Sequence, residues 1–272
     1  MLRKRMKIQY MFITNDTEVA KICDEFGVDR IFVDMEWMGK AERQAHLDSV
    51  KSSHTIQDIS KIKKVVSRSK VLARVNPVHK DTREEVTNAI NAGADIIMLP
   101  MARSVDDARV FLSAVNKNAI SVLLLETKDA VRDLDEILDV GFDEVHIGLN
   151  DLSLDYKIPF MFDLLANGVI ENICTKLRKR SIPYGFGGVA RAGTGKLPAE
   201  YILMEHVRLG STRAILSRSF CNTASMKEIS NIRETFSKEL PKLRQIEENC
   251  YSAQPEDFLQ NIERIKSICA AI

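Results

Sequence analysis

The sequence lacks the features of a membrane-spanning, secreted or nucleic-acid-binding protein. Among its 272 residues no apolar run approaches the roughly 20 that are needed to cross a bilayer. The charged N-terminal stretch MLRKRMKIQYMFIT is not followed by a small-residue cleavage site. The net charge is only +1, so bulk charge does not favour a polyanionic partner. We therefore predict a cytoplasmic protein that binds neither nucleic acid nor membranes.

Several kinds of reactive site are also missing from the sequence. The five cysteines are dispersed without a CxxC pair, which argues against a disulfide framework or a zinc site. The five histidines show no metal-ligand spacing, and neither a GxSxG motif nor a Cys–His pattern occurs. Covalent hydrolase chemistry is therefore disfavoured.

What the chain does contain is a repeated alternation of short apolar runs and longer amphipathic stretches. The eight runs lie at residues 8–13, 31–33, 71–75, 96–99, 122–125, 145–149, 184–189 and 214–216. Apolar strands that alternate with helices indicate a parallel sheet covered on both faces. Eight such units in about 250 residues predict an α/β fold, a (β/α)₈ TIM barrel. We assign residues 1–250 to this barrel and residues 251–272 to an extra C-terminal helix.

Two acidic residues follow neighbouring predicted strands. Glu126 ends the run at 122–125, and Asp151 ends the stretch VHIGLN at 145–150. The carboxyl ends of barrel strands carry the active sites of such folds, so the two side chains should lie side by side. Two carboxylates suit Mg²⁺ or Mn²⁺. The alternative is that each acid pairs with an arginine or caps a helix.

Other polar residues at the predicted strand ends should converge on the same mouth of the barrel. Arg74 interrupts an apolar strand and could bind a carboxylate or stabilise an enolate; alternatively, it forms a buried salt bridge with Asp34 or Glu36. The candidate catalytic residues are Arg74, Asp34, Glu36 and His54.

The candidate substrate-binding residues come from strand ends and from one glycine-rich run. The run GFGG at 185–188 could bring backbone N–H groups close to an anion, or could simply make room for a neighbouring side chain. Together with the nearby strand ends it supplies the candidates Asn76, Asn150, Gly187, Gly188 and Arg191.

The order of these motifs resembles the HpcH/HpaI-type aldolases and citrate lyase β-like proteins of the phosphoenolpyruvate/pyruvate barrel superfamily. The similar elements are D-x-E at 34–36, R-V-N at 74–76, GAD and MLPM between 93 and 101, LET at 125–127 and IGLNDLS at 147–153. The resemblance implies carbon–carbon cleavage through a pyruvate-type enolate, with the metal on Glu126 and Asp151 and the enolate oxygen near Arg74. It places Asp34 and Glu36 in the acid–base region. It also implies a homo-oligomer that exchanges a terminal helix.

Two positions depart from the family pattern and indicate a divergent subgroup. Trp37 stands where D-x-E-H has its histidine, and Leu124 stands where glutamine is usual. Because an indole cannot act as a base near neutral pH, Asp34, Glu36 or His54 would have to transfer the proton. We predict a metal-dependent lyase acting on a 2-keto acid or related carboxylate. The alternatives are a phosphoenolpyruvate- or acyl-CoA-utilising enzyme, or a non-catalytic ligand-binding barrel.

Overall fold

A computed structural model describes residues 7–39, 54–226 and 228–272. Its nine strands are β1 Gln9–Ile13, β2 Arg30–Asp34, β3 Lys70–Arg74, β4 Ile96–Leu99, β5 Ile120–Leu125, β6 Glu144–Ile147, β7 Tyr184–Phe186, β8 Gly188–Val189 and β9 Arg213–Leu216. The helices of the described residues are α1 Thr17–Phe26, α2 Ile56–Val65, α3 Thr82–Asn91, α4 Val105–Val115, α5 Lys128–Arg132, α6 Leu134–Asp139, α7 Leu149–Asp155, α8 Asp163–Ala166, α9 Val169–Lys179, α10 Ala199–Leu209, α11 Ile229–Tyr251 and α12 Pro255–Ala270.

All the strands pair in parallel within one sheet, in the order β7-β6-β5-β4-β3-β2-β1-β9-β8. Gly187 joins the two ends of this order. Its N–H donates to the carbonyl of Ile147 in β6 at 3.0 Å, and its carbonyl accepts from the N–H of Ile215 in β9 at 3.3 Å. The predicted (β/α)₈ barrel is therefore confirmed.

Side-chain alternation divides the core into two parts. The barrel interior holds an apolar cluster formed by Met11, Phe32, Leu72, Ile96, Met98, Val122 and Leu124. The intervening residues, such as Val71 and Ala73, pack outward in the larger cluster beneath the helices. Because Asp34 and Arg74 lie two residues beyond Phe32 and Leu72, they extend from the interior face at the carboxyl ends of β2 and β3.

The structure corrects two details of the predicted strands. β6 ends at Ile147 and a helix begins at Leu149, so Asp151 lies in the first turn of α7 and does not close a strand. The predicted strand 184–189 is divided at Gly187, whose φ of +54° is outside the extended region. A Cβ at this position would lie 2.6 Å from Leu149 Cδ1, so the turn favours glycine for both reasons.

The predicted extra helix is α12, and it packs against the barrel of its own chain. Phe258, Asn261 and Ile265 are buried on its inner side. Asn261 Nδ2 donates to the carbonyl of Tyr201 at 3.2 Å and to Glu205 Oε1 at 3.0 Å, both on α10. The domain boundary at residue 250 stays a prediction. Within the described residues, no helix is long and apolar enough to cross a membrane.

Candidate active site

Four acidic side chains and one arginine gather at the carboxyl ends of β2, β3, β5 and β6. Arg74 forms a bidentate ion pair in which Nε and Nη2 donate to the two oxygens of Asp34, each at 2.8 Å. Glu36 Oε2 lies 3.4 Å from the same Nη2. The salt bridge that was the alternative interpretation of Arg74 is thus present, and the Arg74 charge is shared among carboxylates.

The guanidinium of Arg74 is held firmly but keeps one nitrogen available. Burial opposes its charge, but Asp34 and Glu36 outweigh that effect and raise the pKa of Arg74. The guanidinium carbon lies 5.5 Å from the ring centre of Phe32, a cation–π distance. Within the part of the chain that the structure describes, Nη1 makes no hydrogen bond. It is the nitrogen that a substrate oxygen could meet.

Glu126 is a buried carboxylate in an unusual state. Its side chain follows β5, is 2% exposed, and accepts a hydrogen bond from the N–H of Met101 at 3.0 Å. Burial raises the pKa of Glu126 to about 8; the charge of Arg74 and the Met101 N–H act against this rise, and the charges of Asp151 and Glu36 add to it. An added positive charge at this carboxylate would therefore be strongly favourable.

Asp151 approaches Glu126 from the next βα unit. It is partly buried in the first turn of α7, and its charge contributes to the raised pKa of Glu126. Gly148 caps this helix. A Cβ at Gly148 would lie 2.8 Å from Glu126 Oε2 and 3.0 Å from Glu126 Cβ, so only glycine leaves the carboxylate where it is. The helix start and the carboxylate therefore fit together only because residue 148 has no side chain.

The described residues contain no group of three or more His, Cys, Asp or Glu side chains arranged to hold a metal ion. The predicted metal ligands at this mouth are Glu126 and Asp151. For a hard divalent cation, which takes about six oxygens, the remaining positions would fall to water and substrate. A metal ion with only two protein carboxylates and several open coordination positions is more typical of a site that binds substrate than of a structural metal site.

Two further predicted residues contact the β2 end. His54 Nδ1 accepts a hydrogen bond from the backbone N–H of Asp34 at 3.0 Å. Asn76 Oδ1 accepts from the N–H groups of Trp37 and Met38, both at 3.0 Å. Asn76 Nδ2 donates to Glu85 Oε1 at 2.7 Å, so this amide connects the loop after β2 with α3.

The contacts of the remaining predicted binding residues are with residues other than Arg74. The side chain of Asn150 is exposed, and its carbonyl accepts from Ser153 Oγ at 2.8 Å. Arg191 Nε donates to the carbonyl of Phe220 at 2.7 Å. Gly188 lies against β9, where an added Cβ would lie 3.3 Å from Ser217 Cβ. None of these contacts by itself indicates a ligand-binding site.

Sequence reasoning missed the two residues that position Glu126. Met101 belongs to the MLPM motif but was assigned no role; it has a φ of +52°, and its N–H donates to the carboxylate of Glu126. A left-handed conformation is uncommon for a residue other than glycine and concentrates at functional sites. Gly148 had a readable signal, because a glycine at an inward position beside a buried acid suggests close approach.

A cavity of about 430 Å³ lies on the rim beside Met101. Its lining residues come from the loops after β2, β3 and β4 and from the first turn of α4, and comprise Met38, Gly39, Pro77, Val78, Met101, Arg103 and Asp107. The indole of Trp37, on the loop after β2, is 70% exposed.

The fold and this cluster define an α/β-barrel protein whose polar site lies at the carboxyl ends of the strands, as in barrel enzymes. The sequence profile of the HpcH/HpaI aldolase/citrate lyase family matches residues 9–160, more than half of the chain. The chain belongs to that family, whose members are carbon–carbon lyases of the aldolase and citrate lyase type. No curated protein matches the sequence significantly.

A solved structure shows the same fold. It is the crystal structure of an HpcH/HpaI aldolase/citrate lyase family protein from Burkholderia cenocepacia J2315, with a TM-score of 0.64 and 14% sequence identity. The alignment covers 85% of this chain and 97% of that chain. Arg74, Glu126 and Asp151 lie within the family match, whereas Gly187, Gly188 and Arg191 lie beyond its end.

Proposed function

We propose that the protein is a metal-dependent carbon–carbon lyase that acts on a 2-keto acid through a pyruvate-like enolate. The observation that carries this proposal is Glu126, a buried carboxylate whose pKa is raised to about 8 beside Asp151. In this proposal Glu126 and Asp151 hold Mg²⁺ or Mn²⁺. Family members generally depend on a divalent metal, which supports it.

The residues present fit such an ion. Both proposed ligands are carboxylates, which suit hard cations, and Gly148 has no side chain that would displace Glu126 Oε2. When bound, the cation would stabilise negative charge on a substrate oxygen as a Lewis acid. At pH 7 Glu126 of the metal-free protein is mostly protonated, so binding of the cation should release a proton.

Arg74 would stabilise the same developing charge from the protein side. Asp34 fixes the plane of the guanidinium through two hydrogen bonds and so points Nη1 in a set direction. A pre-oriented cationic donor stabilises charge without having to reorganise during the reaction. Arg74 is therefore proposed to bind the enolate oxygen, and Asp34 to position Arg74.

Proton transfer falls to the residues around Arg74 because Trp37 has no ionisable group. With Nδ1 accepting from the Asp34 backbone, a neutral His54 carries its proton on Nε2. Glu36 is 2% exposed and 3.4 Å from Arg74. We propose Glu36 or His54 as the proton-transferring group, because Asp34 is committed to two hydrogen bonds with Arg74.

The direct test is pyruvate release from a series of 4-hydroxy-2-keto acids, measured with and without Mg²⁺ or Mn²⁺. Activity should require the metal and disappear with a chelator. Glu126→Gln should lower kcat/KM by more than the roughly hundredfold that loss of an outer-shell partner costs. The matched control is Glu136→Gln, on the exposed side of α6. Equal, metal-independent rates for all three proteins would refute the proposal.

The structure offers no comparable observation in favour of a phosphorylated substrate or an acyl-CoA at the glycine-rich strand. The N–H of Gly187 is hydrogen-bonded to Ile147 and Arg191 Nε to Phe220. The cytoplasmic location and the homo-oligomeric state belong to this proposal as predictions.

A further inference from the structure

A second polar cavity lies at the opposite mouth of the barrel, where the strands begin. Its volume is about 400 Å³. It is lined by the first residues of four strands and by nearby loop residues: Lys7, Gln9, Gly27, Val28, Asp29, Arg30, Arg68, Lys70 and Glu144. Four of these residues are cationic and two are acidic.

Both acidic residues are already paired. Glu144 accepts from Arg30 at 2.7 and 2.9 Å and from Arg213 at 2.8 and 2.9 Å. Although burial opposes its ionisation, these hydrogen bonds lower the pKa of Glu144 to about 2. Asp29 Oδ2 accepts from the N–H of Tyr10 at 2.8 Å and from Arg244 at 3.1 Å. The carboxylates therefore leave the other cations of this cavity largely uncompensated.

Lys70 is one of the uncompensated cations. It begins β3 on the same face as Leu72 of the barrel interior, and it makes no ion pair or side-chain hydrogen bond with any residue in the described ranges. Lys7 contributes a charge on the rim, with only a 3.9 Å contact to Asp29.

Two arginines add to this excess of positive charge. Arg68 donates to the backbone carbonyls of Asp24 and Glu25, and its charge is partly offset by the Glu25 carboxylate, which also accepts a hydrogen bond from Arg233. Arg30 is 3% exposed on the inner side of the cavity, and its Nε is buried without a hydrogen-bond partner among the residues that the structure describes. A buried donor without a partner is costly, and an anion in the cavity would reduce that cost by its field.

We propose that this cavity binds a phosphate group, either inorganic phosphate or a small phosphate monoester. Two exposed ammonium groups, Lys7 and Lys70, line the same cavity as a buried guanidinium, Arg30, and this set of cations suits a compact dianion. The volume admits a phosphate carrying a small organic group. The site lies at the end of the barrel opposite Arg74 and Glu126, so it is separate from the proposed catalytic site and does not depend on the proposed function.

The test is a titration of the metal-free protein with sodium phosphate at constant ionic strength, with chloride as the replaced anion and the thermal unfolding midpoint as the readout. The midpoint of the wild type should rise and saturate. Lys70→Glu should weaken the apparent affinity by about tenfold or more, which corresponds to one charged hydrogen bond. Lys80→Glu, at an exposed lysine on the opposite end, should leave the titration unchanged.

Lys70→Gln and Lys7→Gln, which remove charge from exposed positions without reversing it, keep the test valid if Lys70→Glu does not fold. A parallel titration with glycerol phosphate distinguishes the two sources of the group: the tighter ligand identifies the form that the site takes. The proposal is overturned if neither anion raises the midpoint above the chloride reference. It is equally overturned if the Lys70 and Lys7 variants respond as the wild type does.

Discussion

The two mouths of the barrel carry opposite imbalances of buried charge. At the end where the strands begin, the buried carboxylate of Glu144 accepts hydrogen bonds from two guanidinium groups, and its pKa falls to about 2. At the end where the strands finish, the one guanidinium of Arg74 serves several carboxylates, and the pKa of Glu126 rises to about 8. At the first mouth the negative charge of Glu144 is fully compensated by arginines, whereas at the second mouth the carboxylates lack enough positive charge to compensate them.

Under the proposed function, this difference separates a group that serves stability, Glu144, from one that binds a ligand, Glu126. A buried acid with four hydrogen bonds from arginines contributes to the folded state and has no capacity left for a ligand. A buried acid that is easier to protonate than to ionise weakens the folded state at high pH unless something positive binds there. The same residue type therefore has opposite roles at the two ends, and each role can be tested by substitution.

The largest effect on stability is expected at the first mouth. Glu144→Gln would leave Arg30 and Arg213 buried with their charges uncompensated, so we expect the free energy of unfolding to fall by about 3–5 kcal/mol. Denaturant unfolding at pH 7 measures this loss of free energy. Glu126→Gln, at the other mouth, should lose far less or even gain stability without metal. If Glu126→Gln were the more destabilising of the two, the contrast between the mouths would be wrong.

The second prediction concerns pH. In the folded protein Glu126 holds its proton more tightly than in the unfolded chain, since its pKa rises from 4.5 to about 8. Its contribution to stability is therefore complete below about pH 4.5 and is lost as pH rises through about 8. Over that window the metal-free wild type should lose up to about 1.4 kcal/mol per pH unit relative to Glu126→Gln. Parallel slopes for the two proteins would contradict the assigned state of Glu126.

The smallest expected effect tests whether the metal ion lies beside Glu126 at the second mouth. Gly148→Ala places a methyl group 2.8 Å from Glu126 Oε2, so the carboxylate must shift. Metal affinity should fall by about 10- to 100-fold, the range seen when the partners of a ligand are disturbed. Gly188→Ala is the matched control, because the nearest atom to its new Cβ is 3.3 Å away on Ser217. Equal affinities for the two variants would place the ion away from Glu126.

Much of this arrangement could be predicted from the chain because strand ends in a barrel meet by construction. The alternation of apolar runs and helices predicted the barrel, and the acids at 126 and 151 followed from it. The turn after β6 was not predictable from apolar pattern, since Leu149 continues the run of β6 but already belongs to a helix. The position of Met101 depends on a left-handed backbone conformation that its residue type does not indicate.

The charge pairs depended on contacts that local sequence does not contain. Arg30 and Glu144 are 114 residues apart, and only barrel closure brings Arg213 beside them. Asn76 was predicted to bind substrate, yet its amide makes hydrogen bonds to Trp37, Met38 and Glu85. Side-chain partners of this kind follow from register between strands and from helix placement, which residue pattern alone does not specify.

The most direct test of the central claim is calorimetric titration of Mn²⁺ into the metal-free wild type and Glu126→Gln at pH 7, in two buffers of different ionisation enthalpy. We expect one Mn²⁺ site in the wild type, proton release on binding, and an affinity for Mn²⁺ that is at least about a hundredfold weaker in Glu126→Gln. Absence of binding to the wild type, or equal binding to both proteins, would contradict it.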